Sequence, residues 1–181
     1  MLKTIETQRL VLRAPNLSDL DDFYHYASKE NIGIRAGWLP HESLEESKLN
    51  LISLIEKEEV WAITIKPTNQ LVGTIGLHIR DFFDAINGIA ELGYSLDDKH
   101  WNHGYMTEAV KAILNTAFDY YGFKKIVCGH QENNKASQKV ILKNGFHFTN
   151  IEKNRDYGEF KIKNIYMYEL TKDYLKENEN E

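Results

Sequence analysis

The chain has 181 residues, of which 42% are hydrophobic, 12% aromatic and 27% charged, with 3 prolines and 1 cysteine. That composition excludes collagen-like, disordered and disulfide-stapled classes, and the length suits one domain able to bury its own core. The charge is −5 at pH 7, from 22 Lys+Arg against 27 Asp+Glu, so sequence-independent binding to nucleic acid or anionic membrane is not expected.

The opening residues MLKTIETQRL hold no leader-like apolar run, and no later segment reaches the ~18 apolar residues of a membrane span. A single Cys128 cannot bridge internally and fits a reducing compartment, so a cytoplasmic location is expected. In chain order, Leu10 to Arg13 reads as a strand ended by Ala14-Pro15. Ser18 reads as the N-cap of a helix carrying Leu20, Phe23, Tyr24 and Ala27 on one face. A second helix starts near Ser43, where Glu46 completes a capping box, with Leu44, Leu51, Leu54 and Ile55 inward.

Strands Val60 to Ile65 and Leu71 to Ile79 flank a Pro67-Thr68-Asn69-Gln70 turn, and residues 81–88 connect to a third strand, Ile89 to Leu96. The strongest helix follows. Met106, Ala109, Val110, Ile113, Leu114, Ala117, Phe118 and Tyr121 recur at spacings of three and four, stopped by Gly122. Lys125 to Cys128 reads as a buried parallel strand, and Asn133 or Asn134 caps a helix that closes at Gly145. Phe146 to Lys153 and Phe160 to Leu170 are the last strands. The order βααβββαβαββ predicts an α/β fold with a mixed sheet of about seven strands and about four helices, as one domain over residues 1–171. Residues 172–181 read as a charged, frayed tail.

Chemistry concentrates between Glu91 and Ala109. There a strand runs through a short loop into the N-terminus of the long helix. The turn Asn102-His103-Gly104 is small, so backbone N–H groups can approach a ligand, at the positive end of the helix dipole where phosphate binds well. Local physics alone leaves a ligand turn and an ordinary strand-to-helix turn equally open. The seven histidines offer no such focus: His78, His130 and His147 lack metal-ligand spacing, and no metal is expected. Cys128, in an apolar strand, reads as core packing.

Glu91-Leu92-Gly93-Tyr94, followed by Trp101-Asn102-His103-Gly104-Tyr105-Met106-Thr107-Glu108-Ala109, resembles the central motif of the GNAT acyl-CoA-dependent N-acetyltransferases, in particular their Rim-type branch. Glu6-Thr7-Gln8-Arg9-Leu10-Val11-Leu12-Arg13 is similar to that branch's first strand, and Asn134-Lys135-Ala136-Ser137 with Lys143-Asn144-Gly145-Phe146 to its late motif. Ser95 stands where the branch often has an aromatic residue.

The resemblance implies a GNAT fold and transfer of an acetyl group from acetyl-CoA to a primary amine by direct attack in a ternary complex. It implies that Asn102, His103, Gly104, Tyr105, Met106 and Thr107 hold the pyrophosphate, and that unpaired peptide groups of Tyr94, Ser95 and Leu96 hold the pantetheine arm. Asn134 would position the arm or the hydroxyl of Ser137, the proton donor to the thiolate, and Glu91 would be the base, acting through water. The amine implied is a peptide N-terminus, a polyamine or an amino sugar. The acceptor cleft would use the first two helices and the loop between the last two strands, in a monomer or homodimer. The alternative is a non-catalytic acyl-CoA-binding module of the same fold.

Overall fold

The computed structural model of the chain describes residues 2–156 and 161–173. They divide into two compact units, Met1–Gly76 with Tyr94–Ala109 and Leu77–Gly93 with Val110–Glu181.

The first unit holds strands β1 (Ile5–Glu6) and β2 (Leu10–Arg13), helices α1 (Leu20–Ala27), α2 (Glu30–Ala36) and α3 (Leu44–Lys57), then β3 (Val60–Ile65) and most of β4 (Gln70–His78). Its ladders are all antiparallel: β1 on β2 (Ile5 opposite Leu12), β2 on β3 (Leu12 opposite Ile63) and β3 on β4 (Ile63 opposite Gly73). Against them Phe23, Tyr26, Ile32, Leu51, Ala62 and Leu71 form a buried cluster, with Trp38 and Trp101 packed on it. The apolar spacing of the first two expected helices is thus spent on one core, the dominant favourable term in holding such a unit together.

The second unit holds α4 (Phe82–Asn87), the start of β5 (Ile89–Leu96), most of α5 (Tyr105–Asp119), β6 (Lys125–Gln131), α6 (Lys135–Lys143), β7 (His147–Asp156) and β8 (Lys161–Thr171). β5 and β6 pair in parallel from Ile89–Lys125 to Leu92–Cys128. β6 continues to Gln131 antiparallel to β8, and β8 pairs with β7. The β7 register shifts at Phe148/Asn150, and Asn154 takes φ 53 within the strand. Ile113, Leu114, Ala117, Phe118, Ile126, Cys128, Ile141 and Leu170 are all buried.

The fold is the expected mixed α/β type, with both parallel and antiparallel pairs. The described residues form eight strands and six α-helices, where about seven and about four were expected. Three elements account for the difference. β1 is two residues long, too short to show alternation. α2 contains Gly33, which weakens helix propensity, yet a Cβ there would meet the Trp38 carbonyl at 2.9 Å, so packing demands glycine. α4 falls inside the expected connection 81–88 and is capped by the Asp81 side chain.

Two caps also differ. Asn16, not Ser18, caps the first helical segment, because its carboxamide accepts the Ser18 N–H while Asp19 returns a bond to the Asn16 N–H. Ser43 accepts the Glu46 N–H as expected, but the Glu46 carboxylate takes the Glu42 N–H at 2.6 Å instead of closing the box. Among the described residues no helix is long and apolar enough to cross a membrane. Residues 157–160, where the loop between the last two strands was expected, lie outside the described residues, as do residues 174–181 of the tail expected over 172–181.

Candidate active site

In the first unit the chain leaves β5 at Leu96 and enters α5 at Tyr105 through a turn with two left-handed residues, Asn102 (φ 62) and Gly104 (φ 79). The first hydrogen bond of α5 runs from the Glu108 N–H to the Gly104 carbonyl at 3.0 Å. The N–H groups from Gly104 to Thr107 therefore have no acceptor within the helix and stand at the positive end of a 15-residue dipole. Asn102, His103 and Gly104 are exposed, while Tyr105 and Thr107 are half-buried and Met106 is buried. Such a turn can accept a phosphate or pyrophosphate through backbone donors alone.

Several side chains fix this turn. The Trp101 indole N–H donates to the Leu96 carbonyl at 2.8 Å, and the His103 Nδ1 donates to the Trp101 carbonyl at 2.7 Å. The His103 ring stacks on Tyr105 with centroids 5.7 Å apart. Ahead of the turn, Lys29 bonds both Asp97 and Asp98, and the Asn31 amide donates to Asp98 at 3.1 Å. The Lys29 ammonium, with Asp97 and Asn31, holds the Asp98 carboxyl well below the usual carboxylate range.

Of the residues expected to hold a pantetheine arm, Tyr94, Ser95 and Leu96 all lie beyond the last β5–β6 pair. One detail corrects the expectation. The Leu96 carbonyl is not unpaired, since it accepts the Trp101 indole. Ser95 is buried, and its hydroxyl meets Thr74 Oγ1 at 3.1 Å, which in turn meets the Tyr26 hydroxyl at 3.1 Å. That buried chain of hydroxyls explains a serine where an aromatic residue would leave Thr74 short of a partner. Burial pushes the Tyr26 hydroxyl up to about 12, against the bonds from Thr74 and Ser95.

In the second unit Glu91 stands on β5 with only 15% of its side chain exposed. Arg155 holds it bidentately, Nη1 to Oε1 at 2.8 Å and Nη2 to Oε2 at 2.7 Å, and Arg80 Nε adds a bond at 2.5 Å. Glu152 lies 3.5 Å from Arg155 and completes the network. Burial alone would raise the Glu91 carboxyl; the bonds from Arg155 and Arg80 outweigh it and hold the group at about 2. A carboxylate held there is ionised but weakly basic, so its environment does not suit the base expected from the motif.

The Asn134 side chain caps α6 by accepting the Ser137 N–H at 3.2 Å, and Ser137 is half-buried in the first turn. Nearby on β6, His130 is buried and stacked on Tyr166 and Tyr168. Its Nδ1 donates to the Gln131 carbonyl at 2.7 Å, so Nε2 is free to accept from the Tyr168 hydroxyl at 3.2 Å. Burial lowers the His130 imidazole, keeping it neutral. Cys128 is buried and burial pushes its thiol up, an inert setting that agrees with core packing. Among the described residues no group of three or more His, Cys, Asp or Glu could hold a metal ion.

The motif is legible in the sequence, but the partners of its side chains are not. Arg9 lies within its motif, yet nothing in the sequence ties it to Glu108. Arg80 and Arg155 lie in stretches without any recognisable pattern, so nothing local marks them.

Comparison with known proteins agrees with this architecture. A family described as Acetyltransferase (GNAT) domain matches residues 9–147. The N-acetyltransferase p20 of Bacillus licheniformis is 26% identical over 176 residues, covering 94% of this chain and 97% of that one. The ribosomal-protein-serine acetyltransferase of Escherichia coli is 28% identical over 78 residues, 43% of this chain and 42% of that one. A GNAT-family acetyltransferase from Bacillus anthracis superposes with TM-score 0.84 at 20% identity, covering 94% of this chain and 99% of that one. The chain belongs to the GNAT family of acetyltransferases.

Proposed function

We propose that the chain transfers the acetyl group of acetyl-CoA to a primary amine, with the backbone from Asn102 to Thr107 holding the pyrophosphate and Tyr94, Ser95 and Asn134 helping to orient the arm. The observation that carries this reading is the family match over residues 9–147, joined to a glycine turn at the head of a 15-residue helix. The amine nitrogen attacks the thioester carbonyl; the C–N bond forms, the C–S bond breaks, CoA leaves as a thiolate that takes the proton of the Ser137 hydroxyl, and the proton shed by the attacking nitrogen returns through water to the Ser137 oxygen. Because Glu91 is held at about 2, it acts as a structural anion, and the amine enters already deprotonated, its proton passing to water. The acceptor class follows a relative whose name specifies a ribosomal-protein serine, so a peptide N-terminus is the first candidate, ahead of polyamines and amino sugars.

The test is CoA thiol release from acetyl-CoA across peptide N-termini, polyamines and amino sugars. Turnover with one amine class supports the reading, and a folded protein that releases no thiol with any of them sinks it. One observation favours a second reading, a non-catalytic acyl-CoA-binding module: the residue expected to be the base is committed to two arginines. CoA binding without turnover selects that alternative.

A further inference from the structure

Two stretches recognised separately, Glu6 to Arg13 and Thr107 to Ala109, meet in the first unit at the Glu108 carboxylate. Its Oε1 accepts the Thr7 hydroxyl at 2.6 Å and the Arg9 N–H at 2.9 Å. Its Oε2 accepts the Arg9 Nε–H at 2.7 Å and forms an ion pair with Nη2, also at 2.7 Å. The remaining Arg9 nitrogen, Nη1, donates to the His103 carbonyl at 2.8 Å, and the guanidinium lies 4.6 Å from the centre of the Tyr105 ring.

Two physical consequences follow. A carboxylate in the first turn of α5 sits in the positive field that an anionic ligand would use, and uncompensated it repels that ligand. Arg9 cancels the charge with a fork that also fixes where the carboxylate points. The second consequence concerns the peptide between His103 and Gly104. In a trans peptide the C=O and N–H point opposite ways, so anchoring the His103 carbonyl on Arg9 aims the Gly104 N–H away from Arg9.

We propose that Arg9 is a positioning residue for the phosphates of CoA, neutralising Glu108 and orienting the Gly104 amide, without itself touching the reacting atoms. This rests on the reading that those phosphates occupy the turn from Asn102 to Thr107. The test is calorimetric titration of CoA into the full chain and into Arg9→Gln, Arg9→Lys, Glu108→Gln and the double variant Arg9→Gln/Glu108→Gln. Thermal melts of the same samples report whether each is folded.

Arg9→Gln is expected to weaken CoA binding about three- to tenfold, because a lone carboxylate now faces the phosphates. The double variant is expected to recover most of that loss, since the repulsion is gone, and Arg9→Lys to fall between. In steady state the KM for acetyl-CoA rises while the KM for the amine stays within about twofold, a split that general loosening would not produce. Arg9→Gln binding CoA within twofold of the unaltered chain overturns the assignment, as does a double variant no better than Arg9→Gln. An unaltered chain that fails to bind CoA overturns the underlying reading instead.

Discussion

Two carboxylates bracket the motif segment, and each is held by arginine in a different way. Glu108 in the first unit meets one short stretch, Thr7 to Arg9, which supplies a hydroxyl, a backbone N–H and a guanidinium. Glu91 in the second unit meets only guanidinium groups, from Arg80 and from Arg155, 64 positions along the chain. Both carboxyls are lowered, against burial in each case, but Glu91 goes to about 2. The difference teaches that a motif identifies an acid without stating its task. Glu108 is tied into a helix turn whose amides remain available, whereas Glu91 is half-buried and clamped between two guanidinium groups.

This contrast can be broken by substitution. Glu91→Ala should cost the most, about 2–4 kcal/mol in urea unfolding at pH 7, because Arg80 and Arg155 would lose the carboxylate they share and leave Glu152 as the acid beside two guanidinium groups. A loss below 0.5 kcal/mol would mean the clamp contributes nothing. Next in size is the pH dependence. The Glu91 carboxyl is depressed from 4.5 to about 2, so its stabilisation is present above pH 4.5 and is lost as pH falls towards 2. That window is worth about 3 kcal/mol, and the stability gap between the unaltered chain and Glu91→Gln should close across it.

The rate profile sharpens the same point. With no basic Glu91, kcat/KM for a peptide amine should climb about tenfold per pH unit below the amine's own value near ~8. An inflection between pH 4.5 and 6.5 that disappears in Glu91→Gln would restore the residue as a base. Glu108→Gln should cost less than Glu91→Ala, about 1–2 kcal/mol, through weakened hydrogen bonds and lost dipole stabilisation. Smallest, Asn134→Ala should remove about 1 kcal/mol as a lost N-cap, measured by the same urea midpoint. An unchanged midpoint would leave Asn134 with a role towards the ligand only.

The element order was legible because long periodic stretches, above all Met106 to Tyr121, bury one face each. What escaped was short or tertiary. α4 carries Phe82, Phe83 and Ile86 exposed at 79%, 64% and 62%, so no inward stripe announces it. α2 looks unhelical until Trp38 is placed against Gly33. At the site, the glycine turn could be read from Asn102 to Gly104, since positive φ and small size are local properties. The basicity of Glu91 could not, because it is set by residues that only the fold brings to it. Ser95 stands out in the sequence as a departure, yet its partner, the Thr74 hydroxyl, lies on another strand.

Neighbours in a strand obey parity: odd separations put side chains on opposite faces. Glu152 and Arg155 are three apart on β7 and still lie 3.5 Å from each other, with Asn154 at φ 53 between them. A left-handed residue interrupts the alternation, and asparagine tolerates that conformation better than most. The β7–β8 register runs on unchanged through Asn154, from Lys153 opposite Asn164 to Arg155 opposite Ile162. The strand thus keeps its pairing with β8 while Glu152 and Arg155 lie within reach of each other.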